Sequence, residues 1–449
     1  MGMKCIRCGA DNDLRDRTTN NGRCKNCNHP FTFEPSTVTD TKFKFTDPFF
    51  AKVIDDLSVN NTLFFTQKQF LYFLDKRLKS RSLVSGWGWI FFYIFFNIWA
   101  PGFIGGFLSL VIGQSSFMIV WFLLNIGFMI AFLKASNSPT VNYQVRQANA
   151  RNLQILGAFI LVIGILLSMG VQSFIVFLIS VLLGMSSIYL GTRQRMFINN
   201  NISETFLVAQ YQFQDWLNRW QSINDPIPKM LPLPQEETAS NSLVGERSRT
   251  ISSDITAYSF DRAVICDNSA IAQMLIANNF HFENNCAVLS ITGYPQSIFS
   301  TVMEMLKRNP DLKVYALHDA SPHGVSLVHQ LRTNSQWFAD SNVIIYDLGL
   351  LPKQILSTRG LFIQSSNESA QEARQLLPEV RASLSTDEQK WLDEGKFVEL
   401  ESFTPQRIIQ VLNQGIAKSQ DSSATDSLLL IDNSGYDGGG YIYAVDSFG

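Results

Sequence analysis

The chain has 449 residues and nearly balanced charge, 36 Lys and Arg against 38 Asp and Glu. That length calls for two or three folding units. The balance excludes a histone-like or otherwise broadly basic nucleic-acid binder. Charged residues make up only 16% of the chain, against roughly 25% in soluble proteins. The deficit is local, since residues 82–133 and 152–192 contain no Asp, Glu, Lys or Arg. The middle of the chain therefore reads as membrane-embedded, and disorder, a collagen-like fibre and a disulfide-rich scaffold are excluded.

The chain opens on Cys5-Ile-Arg-Cys8, a fifteen-residue spacer, and Cys24-Lys-Asn-Cys27. Two Cys-x-x-Cys pairs at this spacing predict a tetrahedral zinc site. Four thiolates close the coordination sphere, so the expected role is structural. A segment of 33 residues with almost no core needs such an ion to fold. Gly9 and Asn28 follow the pairs, where a knuckle needs a permissive backbone. Residues 1–33 resemble zinc ribbons, a class that often touches nucleic acid or protein. Arg7, Arg15, Arg17, Arg23 and Lys25 suit phosphates, and a solvated basic face explains them equally well. His29 stands nearby as a bystander. No apolar signal segment precedes the ribbon, and the remaining cysteines, Cys266 and Cys286, read as small buried apolar residues.

Residues 47–82 predict a pair of amphipathic helices lying on the membrane face or on a partner helix. Phe49, Phe50, Val53, Ile54 and Leu57 recur at helical spacing, as do Phe70, Leu71, Leu74 and Leu78. Each uncharged stretch is about twice the ~20 residues that one crossing requires. The first divides at Gly113-Gln114-Ser115-Ser116 and the second at Gly170-Val171-Gln172-Ser173, giving four spans within residues 87–190, with a kink at Pro101. Lys76, Arg77, Lys79, Arg81, Lys134, Arg146, Arg151, Arg193 and Arg195 all flank one side, which places both termini in the cytoplasm and the protein in the cytoplasmic membrane. The alternative is a buried helical core in a soluble protein. The spans carry no ionisable residue in their interiors, which argues against a pump or proton relay. They read as an anchor, and Gly105, Gly106 and Gly157 as a surface for a homo-oligomer.

Residues 203–222 predict a juxtamembrane helix with Phe206, Ala209, Phe213, Trp216, Leu217 and Trp220 on one face. Residues 223–258 read as a Pro- and Ser-rich linker, and 419–449 as a flexible tail. Between them, residues 259–418 alternate strand and helix, which implies a parallel sheet covered by helices. Ser385 and Glu388 form a capping-box pattern, and Thr404-Pro405 starts a final helix. The fold class is thus multi-domain: a four-cysteine zinc ribbon, a four-span helical bundle and a C-terminal α/β domain.

In an open parallel sheet, ligands bind outside the carboxyl ends of the strands. Asp267, Gly293-Tyr294-Pro295 and Asp319 fall there. Converging carboxylates could hold Mg²⁺, and Gly293 would admit a phosphate. The turn Gly293-Tyr294-Pro295, the run Leu317-His318-Asp319-Ala320-Ser321-Pro322-His323-Gly324 and Tyr346-Asp347-Leu348-Gly349-Leu350 carry a resemblance. Ala263 to about Pro352 resembles a Toprim domain of the kind found in the A subunit of type IIB topoisomerases and the related meiotic break-forming proteins. The resemblance implies Asp267, Asp319 and Asp347 as catalytic candidates with Mg²⁺. It implies Gly293, Tyr294, Pro295, Ser321, His323 and Gly324 as ligand-binding candidates, and a nucleic acid or phosphorylated ligand.

Three departures matter. The family has Glu where Asp267 stands, and Asp where Ser321 stands. The family's tyrosine nucleophile has no counterpart that can be named, because membrane helices occupy its place. Strand passage through a phosphotyrosine is therefore not expected. Three readings follow: a binding or partner-recruiting module on the bilayer, an Mg²⁺-dependent phosphodiester-processing enzyme, and a transporter or channel subunit.

Overall fold

The structure is a computed structural model that describes residues 2–33, 45–81, 88–113, 116–138, 141, 143–199, 203–234, 260–309, 311–339, 341–358 and 360–419. Most of the expected linker and nearly all of the tail lie outside these residues. The chain forms two compact units, Met1–Asp75 with Val208–Gly449, and Lys76–Leu207.

In the first unit, a two-residue hairpin (Met3–Lys4 with Asp11–Asn12) and a short helix Leu14–Thr19, boxed by Asp13 and Asp16, frame the four cysteines. Helices α1 (Asp47–Leu57), the start of α2 (Gln67–Arg81) and α3 (Gln210–Ile223) follow. Their apolar faces meet one another. The Phe50 ring lies 4.9 Å from Phe33, 5.2 Å from Phe70 and 4.9 Å from Trp220. The apolar face of the first expected helix is therefore spent on an aromatic core within this unit, not on a membrane surface. The expected helix over 203–222 begins only at Gln210. Residues ahead of it are irregular, with Glu204 held by the Tyr143 N–H at 3.1 Å and by Lys79 Nζ at 3.4 Å.

The α/β part holds a four-stranded parallel sheet: β1 (Arg262–Cys266), β2 (Cys286–Ser290), β3 (Lys313–Leu317) and β4 (Ile344–Asp347), in the order β2-β1-β3-β4. Period-two alternation sends Val264 and Cys266 into a core with helices Ser269–Ala277, Thr386–Asp393 and Pro405–Lys418. Ala263 and Ile265 face the opposite core, under Phe299–Arg308 and Leu327–Thr333. Both faces being covered, the strands read as continuous apolar runs. The capping box of Ser385 and Glu388 is formed. The helix expected over Pro322–Thr333 is broken at Ser326 into two pieces.

The second unit has four helices long and apolar enough to cross a membrane: Phe91–Leu110, Ser116–Asn137, Val145–Val171 and Phe174–Ile198. Pro101 has no N–H to continue the helical ladder, and the first of these helices passes there through a π turn, Pro101–Gly105. The third and fourth pack closely at small residues. A Cβ on Gly157 would lie 2.7 Å from the Gly184 carbonyl, and one on Gly164 would lie 2.3 Å from Ser180 Oγ. Gly157 is thus used inside the chain, as is Gly105 against Phe117, whereas Gly106 faces open space.

Candidate functional site

The carboxyl edge of the sheet gathers the expected acids but does not make them one donor set. Asp267 follows β1 and is buried; its Oδ2 accepts from the Asp319 N–H at 2.7 Å, and its Oδ1 is buried with no hydrogen-bond partner. Asp319 follows β3, and its Oδ1 accepts from the Leu400 N–H at 2.6 Å. Asp347 ends β4 and turns away, accepting from His318 Nε2 at 3.0 Å and from the Gly349 N–H at 3.0 Å.

The segment after residue 395 closes this edge. Ala320 and Val398 exchange backbone hydrogen bonds of 2.9 and 3.0 Å, which carries Leu400 over Asp319. Glu399 and Glu401 flank that leucine and add two more carboxylates. From α2 comes a cation: Lys68 Nζ sits 2.7 Å from Glu399 Oε1 and 3.9 Å from Glu401 Oε2. Tyr72, one turn along, donates to Glu399 Oε2 at 2.5 Å and receives the Gln364 amide. Thr66 donates to Glu401 Oε1 at 2.8 Å, and Asn268 reaches its Oε2 at 3.3 Å.

His318 is the second cation. Its ring is fully buried, with Nδ1 2.8 Å from the Asp319 carbonyl and Nε2 on Asp347. Both neighbours can only accept if Asp347 is ionised, so both ring nitrogens must carry hydrogens. Burial alone would lower the pKa of His318, but the Asp347 charge and hydrogen bond, with Asp267 behind them, raise it to about 9. Asp347 is correspondingly held below the ordinary carboxylate range, because His318 outweighs its burial. Asp319 moves strongly the other way, raised by burial and then by the charges of Asp267, Glu399 and Glu401. Burial likewise raises Asp267 and Glu401. Lys68 is raised by Glu399 and Glu401, which outweigh its burial.

The remaining expected residues are placed as follows. Gly293 has φ +86° in the turn after β2, and Tyr294-Pro295 follows it through a cis peptide. Ser321 caps the helix Pro322–Val325 by accepting from the Gly324 N–H at 3.0 Å. A Cβ on Gly324 would meet the Asp319 carbonyl at 2.1 Å, so this glycine serves close packing. His323 is exposed.

Among the described residues, Asp267, Asp319 and Asp347 do not converge as one set of donor atoms. Backbone N–H groups engage one oxygen of each, Ser321 is committed to its cap, and lysine and imidazolium supply the positive charge. Among the described residues, the one group of three or more His, Cys, Asp or Glu whose donor atoms converge is Cys5, Cys8, Cys24 and Cys27, with all four Sγ within 4.8 Å.

That cluster does fit a metal ion. The Cys5–Cys27 and Cys8–Cys24 sulfurs are each 3.6 Å apart, close to the ~3.8 Å edge of a tetrahedron with Zn–S bonds of about 2.3 Å. Each knuckle closes with an N–H on the first cysteine's carbonyl, from Gly9 at φ +73° and Asn28 at φ +57°, both at 2.9 Å. Burial pushes the Cys5 thiol up to about 12. Burial also raises Cys24, but N–H groups of Cys27, Asn26 and Asn12 prevail and bring it down to about 6. His29 faces away, 3.0 Å from Asn224 Oδ1 on the residue after α3.

An open parallel sheet with acids after its first and third strands is the arrangement expected of a Toprim domain. Residues 263–408, about a third of the chain, match the family of Toprim domains from the A subunit of topoisomerase 6 and Spo11. No curated protein matches the chain. Sequence pattern alone does not locate Lys68, Tyr72, Glu399 and Glu401. Lys68 meets Glu399 across 331 residues of sequence, a distance no local pattern bridges. The alternation Glu399-Leu400-Glu401 after a strand-like run is the one available signal.

Proposed function

We propose that this protein is a membrane-anchored Toprim protein that holds nucleic acid at a bilayer without cutting it. The four apolar helices anchor it in the cytoplasmic membrane with both termini on the cytoplasmic side. The four-cysteine cluster binds zinc and fixes the ribbon. The observation that supports the non-cleaving reading is that the acids of the edge are already engaged: Leu400 N–H on Asp319, and Lys68 on Glu399 and Glu401. Nucleic acid is favoured as ligand by the Toprim family likeness and by the exposed cations Lys4, Arg7, Arg15, Arg23 and Lys25 on the ribbon. Phosphate contacts of this kind give salt-dependent, sequence-tolerant binding.

Fluorescence anisotropy with labelled DNA and RNA duplexes and single strands tests the reading, with Mg²⁺-dependent cleavage followed on the same substrates. Binding that weakens with salt and in Arg7→Ala/Arg15→Ala is expected, with no cleavage. Absence of binding to all four substrates would leave protein recruitment as the module's role. A second reading, Mg²⁺-dependent phosphodiester processing, draws on the buried unpartnered Oδ1 of Asp267. It requires cleavage that Asp319→Ala abolishes.

A further inference from the structure

The membrane-type unit contains a cavity of about 330 Å³, within the size range of small-molecule sites, which begins at roughly 300 Å³. Its walls include Tyr93, Asn97, Pro101, Trp121, Ile163 and Leu167, on the first, second and third of the long helices. It lies beside the π turn at Pro101–Gly105; such turns occur frequently at functional sites.

The groove is half open and its lining almost wholly apolar, but a polar cluster lies behind it, which is costly among apolar helices unless its groups are used. Tyr93 Oη donates to Asn125 Oδ1 at 2.7 Å; Asn125 Nδ2 donates to Asn97 Oδ1 at 3.0 Å and to the Trp121 carbonyl at 2.8 Å. Asn125 is thereby saturated as a donor. Asn97 Nδ2 donates once, to the Tyr93 carbonyl at 3.0 Å, and an amide has a second hydrogen to give. Asn97 lines the cavity, and the remaining lining is apolar or aromatic apart from Tyr93.

We propose that this half-open groove binds a small, ring-sized apolar molecule dissolved in the bilayer that carries one carbonyl-type oxygen, which accepts from Asn97 Nδ2–H while the ring lies against Trp121, Ile163 and Leu167. A plain acyl chain offers that amide nothing, so the oxygen is what distinguishes the occupant. The inference rests on the membrane reading above, and the experiment separates the two.

Full-length protein in phosphatidylcholine vesicles is first floated on a gradient, which reports insertion. It is then photolabelled with benzophenone, an apolar aromatic ketone, and with a phosphatidylcholine carrying a diazirine on its acyl chain; the labelled peptides are mapped. Saturable benzophenone labelling around residues 93–101, 117–121 and 163–167 is expected. Asn97→Leu should weaken it about tenfold, the loss of roughly one hydrogen bond, and Ile163→Trp, which fills the cavity, should abolish it. Diffuse or non-saturable labelling of floated protein, labelling unchanged in Ile163→Trp, or equal labelling of these peptides by the phospholipid would overturn the site. Failure to float would remove the membrane reading itself.

Discussion

A buried imidazole between two acceptors ties stability to pH in a defined direction. The folded pKa of His318 is raised from 6.5 to about 9. Its contribution is therefore fully present below about pH 6.5 and is lost as pH rises through 9, on the order of 3 kcal/mol. Asp319, also raised, acts with the same sign, because the folded state again binds the extra proton. Denaturant titrations between pH 6 and 9.5 should show stability falling, and His318→Gln should flatten that fall. A parallel slope in the variant would mean that another group is responsible. Lys68 is a different case, since its side chain is 44% exposed. Lys68→Ala removes one charge-assisted hydrogen bond, which after solvent screening costs about 1 kcal/mol, and it leaves Glu399 and Glu401 without this cation. Calorimetric Mg²⁺ titration of the variant is expected to show weak binding that the parent chain lacks. If the parent already binds Mg²⁺ with micromolar affinity, the acidic edge is not sealed.

At the level of elements, the metal knuckles and the aromatic core form one chain of contacts. Phe33, at the end of the ribbon, stacks on Trp220 of α3 at 6.1 Å, and Asn224 joins Thr32 and His29. The proposed zinc site therefore predicts that a chelator releases one zinc per chain, unfolds the ribbon and shifts tryptophan emission. Cys24→Ser should reproduce the shift without chelator. In the membrane-type unit, Gly157→Leu forces a side chain into the Gly184 carbonyl, whereas Gly106→Leu meets nothing within 4 Å. Thermal denaturation in detergent should fall by several degrees for the first and barely change for the second. These contrasts mark what could be read in advance. Cys-x-x-Cys spacing, charge-free runs and capping boxes are local signals, and the corresponding elements formed. The late start of α3 was not legible, because partners distant in sequence engage the residues ahead of it, as Tyr143 and Lys79 do for Glu204.

For the whole molecule, the acids after the strands were legible because topology forces those positions to one edge. Their quenching was not, because the quenching groups arrive from a helix far upstream and from a loop well downstream. Because the spans and the sheet fall in different compact units, the proposed membrane attachment and the sheet edge can be tested apart. Flotation and alkaline extraction should retain the chain in the bilayer whether or not Lys68, His318 or Asp319 is substituted. Loss of retention in any of these variants would show that the acidic edge supports the fold of the spans.

Ser321 spends its hydroxyl on the Gly324 N–H at the start of a helix. Aspartate fills such a position about as well as serine. The helix therefore places no demand for the shorter, uncharged residue, and Ser321→Asp should fold as the parent does. At this one position the uncharged side chain is a choice of sequence and not a demand of the capped turn, which would have accepted an acid as readily.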